Sequence, residues 1–230
     1  MSGRKRFFTE KINYPEDRQV VLEGDEFINA KTVQRVEEGT EIILLDGSGK
    51  EYFAIVCSIG KRSLTAQITS VADGDREPRA RIYLLCGALK GDKTELVVQK
   101  ATELGVYKIG VFSSEYCAAF MSANKMERLN KVAREAAKQC MRSLAPEVVY
   151  FENLNDALQS AQDYENKLFA CEFAERSDTD LKNIKDCAAI VVGSEGGFSE
   201  AEFKLARSLG LSQITLGKRI LRAETAAITL

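Results

Sequence analysis

The hydrophobic period of this 230-residue chain changes at the polar run Asp73-Gly74-Asp75-Arg76-Glu77-Pro78, and that change restricts the fold more than any other feature. Before it, short β-type segments (Gln19–Leu22, Glu41–Leu45, Glu51–Ile59, Ser63–Val71) are separated by turn signals such as Asp46-Gly47-Ser48-Gly49 and Gly60-Lys61, with one short helix expected at Asp25–Arg35. The pattern predicts a small β-barrel or sandwich at 1–72, an architecture often used to hold RNA. After it, strands alternate with helices. This predicts an α/β domain at 79–230 with a mostly parallel sheet covered on both faces.

In the second region strands are expected at Arg81–Ala88, Lys108–Ser113, Val148–Phe151, Leu168–Phe173, Ala188–Gly193 and Gln213–Leu216. Asp92 with Glu95, and Ser199 with Glu202, have capping-box spacing, and Gly105 and Gly210 are the matching helix stops. The 125–142 segment places Met126, Leu129, Ala133, Ala136 and Cys140 on one helical face. Helices are also expected at Leu154–Ala161, Ser199–Leu209 and Ala223–Leu230. The last apolar pattern reaches Leu230 with no stop signal, so either the helix is short or further residues follow.

Composition removes several kinds of chemistry. The chain has no histidine, which excludes the commonest general base, Ser-His and Cys-His nucleophiles and most zinc or iron sites, so no metal is expected. Its six cysteines are dispersed without a C-x-x-C pair and read as reduced core residues. No apolar run approaches a membrane span, and the basic start MSGRKRFF lacks the apolar stretch of a signal peptide, so the expected location is the cytoplasm. A net charge of −2 does not announce a nucleic-acid partner. Local basic stretches, Arg4 to Lys11 around Phe7 and Phe8 and Lys125 to Arg142, are solvated helix and strand faces or RNA contacts.

Two glycine turns draw attention in the last forty residues. Gly193–Phe198 (GSEGGF) leaves the apolar run Ala188–Val192, and a similar pattern of short strand, glycine turn and charges recurs at 214–225. Gly193, Gly196 and Gly197 allow positive φ and close backbone approach to a ligand. Glu195 would repel a polyphosphate, and neither a Walker loop nor a dinucleotide fingerprint is present, so a neutral or cationic ligand fits better. The second loop mixes Lys218, Arg219, Arg222 and Glu224 with Ile220 and Leu221, which read as buried. That mixture aims a few polar groups from an apolar wall.

GSEGGFSEAE at 193–202 together with LGKRILRAETA at 216–226 closely resembles the paired signatures of the RsmE family, the bacterial 16S ribosomal RNA uridine N3-methyltransferases of the SPOUT superfamily. Upstream, Lys90-Gly91-Asp92-Lys93, Glu95, the run Gln99 to Val106, Ser114-Glu115, Glu135 to Cys140, Arg142 with Pro146, and Arg6-Phe7-Phe8 fall in the family's order, so the resemblance covers nearly the whole chain. Two positions depart from it. Ser194 stands where the family usually has proline, and the usual N-terminal histidine is replaced by the run Arg4-Lys5-Arg6.

The resemblance implies a PUA-like RNA-binding domain followed by a SPOUT domain whose chain end forms a trefoil knot, a connectivity that periodicity does not encode. It implies S-adenosylmethionine as cofactor, a homodimer, and 16S ribosomal RNA of the small ribosomal subunit as partner, with uridine 1498 the family's target. On this reading Leu168, Gly193, Glu195, Gly196, Gly197, Leu216, Gly217, Ile220 and Leu221 hold the cofactor. Arg222 faces the uracil oxygens, or only braces the fold by pairing with Glu224. Glu195 or Glu224 takes the N3 proton, or serves as a structural carboxylate. Arg6, Arg35 and Arg142 are the RNA contacts. The rivals are a non-catalytic RNA-binding or assembly factor that retains the fold, separated by its failure to bind the cofactor, and a nucleotide oxidoreductase, disfavoured by the missing fingerprint.

Overall fold

The computed structural model describes residues 4–171, 177, 178, 184 and 186–230 and divides into two compact units, Met1–Glu77 with Ala137–Ala145, and Pro78–Ala136 with Pro146–Leu230. The last two residues of the strand expected at Leu168–Phe173 lie outside the described residues.

In the first unit, β1 (Lys5–Phe8), β2 (Gln19–Glu23), β3 (Glu41–Leu45), β4 (Lys50–Ile59) and β5 (Ser63–Asp73) form one sheet in the order β1-β3-β4-β5-β2. β1 joins β3 in parallel and the remaining pairs are antiparallel. Register shifts at Phe53/Ala54 and Val56/Ser58 bend the long β4–β5 ribbon and curl the sheet into a half-barrel. Strand alternation sends Phe7, Ile42, Leu44, Ala54 and Val56 into the main core of this unit. Phe8, Ile43 and Leu45 turn to the other face, where Ala137 covers them. The helix expected at Asp25–Arg35 is shorter and broken: α1 (Gly24–Ile28) runs into a π-helical turn, Asn29–Val33, and Arg35 follows with φ of 50°.

In the second unit, β6 (Arg81–Gly87), β7 (Lys108–Phe112), β8 (Glu147–Phe151), β9 (Asn166–Ala170), β10 (Cys187–Val192) and β11 (Ser212–Ile214) pair wholly in parallel in the order β11-β9-β10-β6-β7-β8. The apolar runs foreseen as strands are those of a sheet buried on both faces. Along β6, Leu84 and Cys86 join α2 (Lys93–Glu103), α3 (Ala123–Gln139) and α6 (Ala223–Thr229) in one core. Tyr83 and Leu85 point to the opposite core, with α4 (Leu154–Gln159) and α5 (Glu200–Ser208).

The chain runs from β6 outward through β7 and β8, then returns to place β9, β10 and β11 on the other side of β6. This reversal puts a topological switch between β6 and β10, and ligands of open α/β sheets bind beyond the strand carboxyl ends at such a point. Among the described residues, no helix is long and apolar enough to cross a membrane.

Capping chemistry differs between two helices that look alike in sequence. At α5 the Ser199 hydroxyl accepts from the Glu202 N–H and the Glu202 carboxylate accepts from the Ser199 N–H, as the spacing predicts. At α2 the Asp92 side chain makes no cap hydrogen bond. Thr94 instead exchanges hydrogen bonds with the Leu89 backbone, and Glu95 is drawn sideways to Arg128. A tertiary ion pair has displaced the local cap.

Candidate active site

The carboxyl ends of β9, β10 and β11 open into a cavity of about 900 Å³ within the second unit. Three pieces of backbone wall it: Ala170 and Cys171 from β9, the GSEGGF turn from β10, and the 214–224 loop from β11. The two glycine turns singled out in the sequence face one another across this space.

The first turn is held by close packing. A Cβ at Gly193 would lie 2.9 Å from the Phe198 ring, and one at Gly196 would lie 2.6 Å from Tyr116 Cβ. Gly197 has φ of 69° and donates its N–H to the Ser194 carbonyl at 3.0 Å. Ser194 is buried, with its hydroxyl 3.4 Å from that of Ser114. The serine adds a polar contact that proline cannot make. In the second loop Gly217, with φ of 103°, turns the chain from β11 toward α6.

The electrostatics centre on three side chains. Lys93, first residue of α2, places its Nζ 3.3 Å from Glu195 Oε1 and 3.6 Å from Glu224 Oε1, joining one carboxylate from each loop. Glu195 Oε1 also accepts from the Lys90 N–H at 3.0 Å. Burial works to raise the Glu195 pKa, but the Lys90 N–H, its own amide and the Lys93 ammonium together hold it below the usual carboxylate value. Glu224 is 9% exposed, and its Oε2 is buried with no hydrogen-bond partner among the described residues. Beneath the turn, burial, aided by the negative field of Glu195, pushes the Cys86 thiol up to about 12.

The structure gathers Gly193, Glu195, Gly197, Leu216, Gly217, Ile220, Leu221, Arg222 and Glu224 around the cavity. Gly196 sits outside the lining, against Tyr116. Leu168 lies in the sheet core, two residues short of the wall. Ile220, which looked buried in sequence, is 87% exposed at the cavity rim. The pairing considered between Arg222 and Glu224 is replaced by one between Lys93 and Glu224, and Arg222 is exposed on the lining. Lys93 carries no signal of its own in the sequence; its role depends on the packing of α2 against α6, which no local spacing shows.

The three RNA-contact candidates belong to the first unit. Arg6 is ion-paired with Glu51, both side chains largely buried. Arg142 gives Glu77 a two-pronged contact, Nε at 3.0 Å and Nη2 at 2.7 Å, with its side chain 4% exposed. Arg35 is exposed.

Together the parallel fold, the cavity at its strand ends and the preceding half-barrel define an RNA methyltransferase. The family model for an RNA methyltransferase domain matches residues 75–230, and that for an RNA methyltransferase PUA domain matches residues 22–69. The chain belongs to the ribosomal RNA small subunit methyltransferase E family. It is 35% identical over 168 residues to that enzyme of Mesomycoplasma hyopneumoniae, covering 72% of this chain and 74% of the relative, and 29% identical to that of Bacillus subtilis, covering 97% and 93%.

Among solved structures, the Neisseria gonorrhoeae ribosomal RNA small subunit methyltransferase E bound to S-adenosylmethionine superposes with a TM-score of 0.87 at 29% identity, covering 99% of this chain and 94% of that one. A Legionella pneumophila methyltransferase with the same bound cofactor gives 0.89 at 29% identity, covering 99% and 95%. The fold is thus that of a SPOUT methyltransferase domain, with a PUA domain before it.

Proposed function

We propose that this protein methylates N3 of a uridine in 16S ribosomal RNA of the small ribosomal subunit, uridine 1498 in the family, using S-adenosylmethionine. The observation that carries the reading is the cavity in which the GSEGGF turn and the 214–224 loop meet, in a chain that belongs to this family. Its volume suits a nucleoside-sized ligand; of its charged lining, Lys218, Arg219 and Arg222 are exposed to solvent, while the Glu224 carboxylate is buried with an oxygen unsatisfied among the described residues, which suits a cationic group on the ligand. The cofactor, when bound, supplies an electrophilic methyl group on a sulfonium.

The work left to the chain is positioning, proton removal and electrostatics. Backbone groups of Gly193, Gly197, Leu216, Gly217, Ile220 and Leu221 hold adenine and ribose. Gly196 keeps the turn tight against Tyr116, and Leu168 supports the wall from below. Arg222 presents its guanidinium to the uracil oxygens, where negative charge grows as N3 loses its proton. Glu195 is held ionised by the Lys90 N–H and Lys93 and so is a weak proton acceptor; Glu224 retains an unused oxygen.

In the same reading, residues 1–72 are the RNA-binding domain and 79–230 the methyltransferase domain. Arg35 touches RNA directly, whereas Arg6 and Arg142 serve it by ordering the fold around them. The working state is a cytoplasmic homodimer. The test is mass mapping of N3-methyluridine in 16S RNA from cells lacking the gene, complemented with wild type or with Arg222→Ala. Wild type restores the mark and the variant restores little of it; full restoration by Arg222→Ala removes that residue from the mechanism.

A further inference from the structure

The acidic pair at the cavity is unbalanced. Lys93 supplies one positive charge to two carboxylates, Glu195 and Glu224, and it contacts the Oε1 atom of each. Glu195 is further satisfied by the Lys90 N–H and is 27% exposed at its side chain, so water and backbone share its charge. Glu224 has neither form of relief. It is nine-tenths buried, lines the cavity and carries an Oε2 atom with no hydrogen-bond partner among the described residues. An ionised carboxylate in that position is costly unless something positive comes to it. The other cations of the lining, Lys218, Arg219 and Arg222, are exposed, where solvent screens them.

We infer that Glu224, with Lys93 orienting it, is the residue by which this site distinguishes methyl donor from demethylated product. The inference rests on the methyltransferase reading above. S-adenosylmethionine and S-adenosylhomocysteine share adenine, ribose and amino-acid tail; they differ by the methyl group and by the positive charge at sulfur. Backbone walls and aliphatic side chains read the shared parts and bind both. Only a group sensitive to charge separates them strongly, since a methyl group alone changes packing by little. An unpaired carboxylate on a partly dry wall meets that requirement, because attraction to a cation there is several times stronger than in water. The glutamate favours the charged donor and loses its hold once the methyl group has left, which speeds product release.

Lys93 has a positioning part. By engaging Oε1 it fixes the Glu224 rotamer and leaves Oε2 unspent. Without the ammonium the wall becomes more negative but less ordered, so Lys93→Met shifts preference further toward the cation while weakening both ligands.

The test is calorimetric titration of the purified protein with three probes: S-adenosylmethionine, S-adenosylhomocysteine, and sinefungin, whose ammonium places a positive charge where the transferable methyl group stands, next to the sulfur position. Circular dichroism and thermal melting establish that Glu224→Gln is folded, and Glu224→Asp, which keeps the charge, provides the second variant. Wild type is expected to prefer S-adenosylmethionine and sinefungin over S-adenosylhomocysteine. Glu224→Gln is expected to weaken the two cationic ligands about tenfold, equivalent to about 1.4 kcal/mol, and to leave S-adenosylhomocysteine within about twofold. Glu224→Asp keeps most of the preference. Equal weakening of all three ligands by Glu224→Gln, or no change in any, overturns the charge reading while leaving the methyltransferase reading intact. Failure of the wild type to bind any of the three overturns both.

Discussion

Gly196 stands so close to Tyr116 that a Cβ on the glycine would lie 2.6 Å from the tyrosine Cβ and 2.7 Å from its carbonyl oxygen. One of those contacts is backbone, so rotation of the tyrosine side chain gives no relief. Gly196→Ala must therefore move the turn, at a cost of about 1–3 kcal/mol in stability. Because the same turn forms one wall of the cavity, S-adenosylmethionine affinity is expected to fall about tenfold or more. Paired thermal melts and titrations check this; unchanged values in both would mean that the turn yields without disturbing the site.

Glu77 and Arg142 predict a contrast within the first unit. Glu77 accepts from the Arg142 guanidinium and from the N–H groups of Ser143 and Leu144, both at 3.1 Å. Glu77→Ala removes the carboxylate that pairs with a largely buried guanidinium and that accepts from two backbone N–H groups, and should cost about 3–5 kcal/mol. Arg142→Ala leaves Glu77 with its backbone donors and should cost less, about 1–3 kcal/mol. Urea unfolding followed by circular dichroism ranks the two variants, and equal losses would contradict the accounting.

The depressed pKa of Glu195 makes the protein acid-sensitive in a defined direction. A carboxyl whose folded-state pKa lies below its unfolded value adds stability above about 4.5, and that contribution disappears as pH falls through the folded value. Glu195→Gln should flatten the fall of urea-unfolding stability on the acid side of pH 4.5. An unchanged acid limb would mean that Lys90 and Lys93 do not stabilise this carboxylate.

Thiol chemistry reports on the sheet below the turn. Cys86 is buried with its pKa pushed up to about 12, whereas Cys57 is exposed. At pH 8 in the folded state, iodoacetamide should label Cys57 and spare Cys86, with Cys86 reacting only on unfolding. Peptide mass mapping of the labelled protein decides, and fast labelling of Cys86 would show that the centre of the sheet opens.

Most of the second unit was legible because buried parallel strands leave apolar runs and the helices between them leave a 3.6-residue period. The cavity was half legible: the glycines at 193, 196, 197 and 217 mark both turns in sequence. Lys93 was not, since its contacts to Glu195 and Glu224 span more than a hundred residues and come from a helix start resembling any other. Asp92 and Glu95 had capping-box spacing, yet Arg128 takes Glu95 away. Ile220 was misjudged because an apolar residue between charges reads as buried, and only the structure puts it on the rim. β1 was not among the expected strands, because basic Lys5 and Arg6 before Phe7 and Phe8 give no strand alternation and its parallel pairing with β3 is a long-range contact.

The reaction proposed for this protein is transfer of a methyl group to uridine N3 in small-subunit ribosomal RNA. Purified protein, S-adenosylmethionine carrying an isotopically labelled methyl group, and small ribosomal subunits from cells lacking the gene make the direct assay, read by nuclease digestion and mass spectrometry of the nucleosides. Labelled N3-methyluridine is expected at about one per 16S RNA, with Arg222→Ala reducing the initial rate about a hundredfold. Label in a different nucleoside, or no transfer by a protein that binds the cofactor, would contradict it.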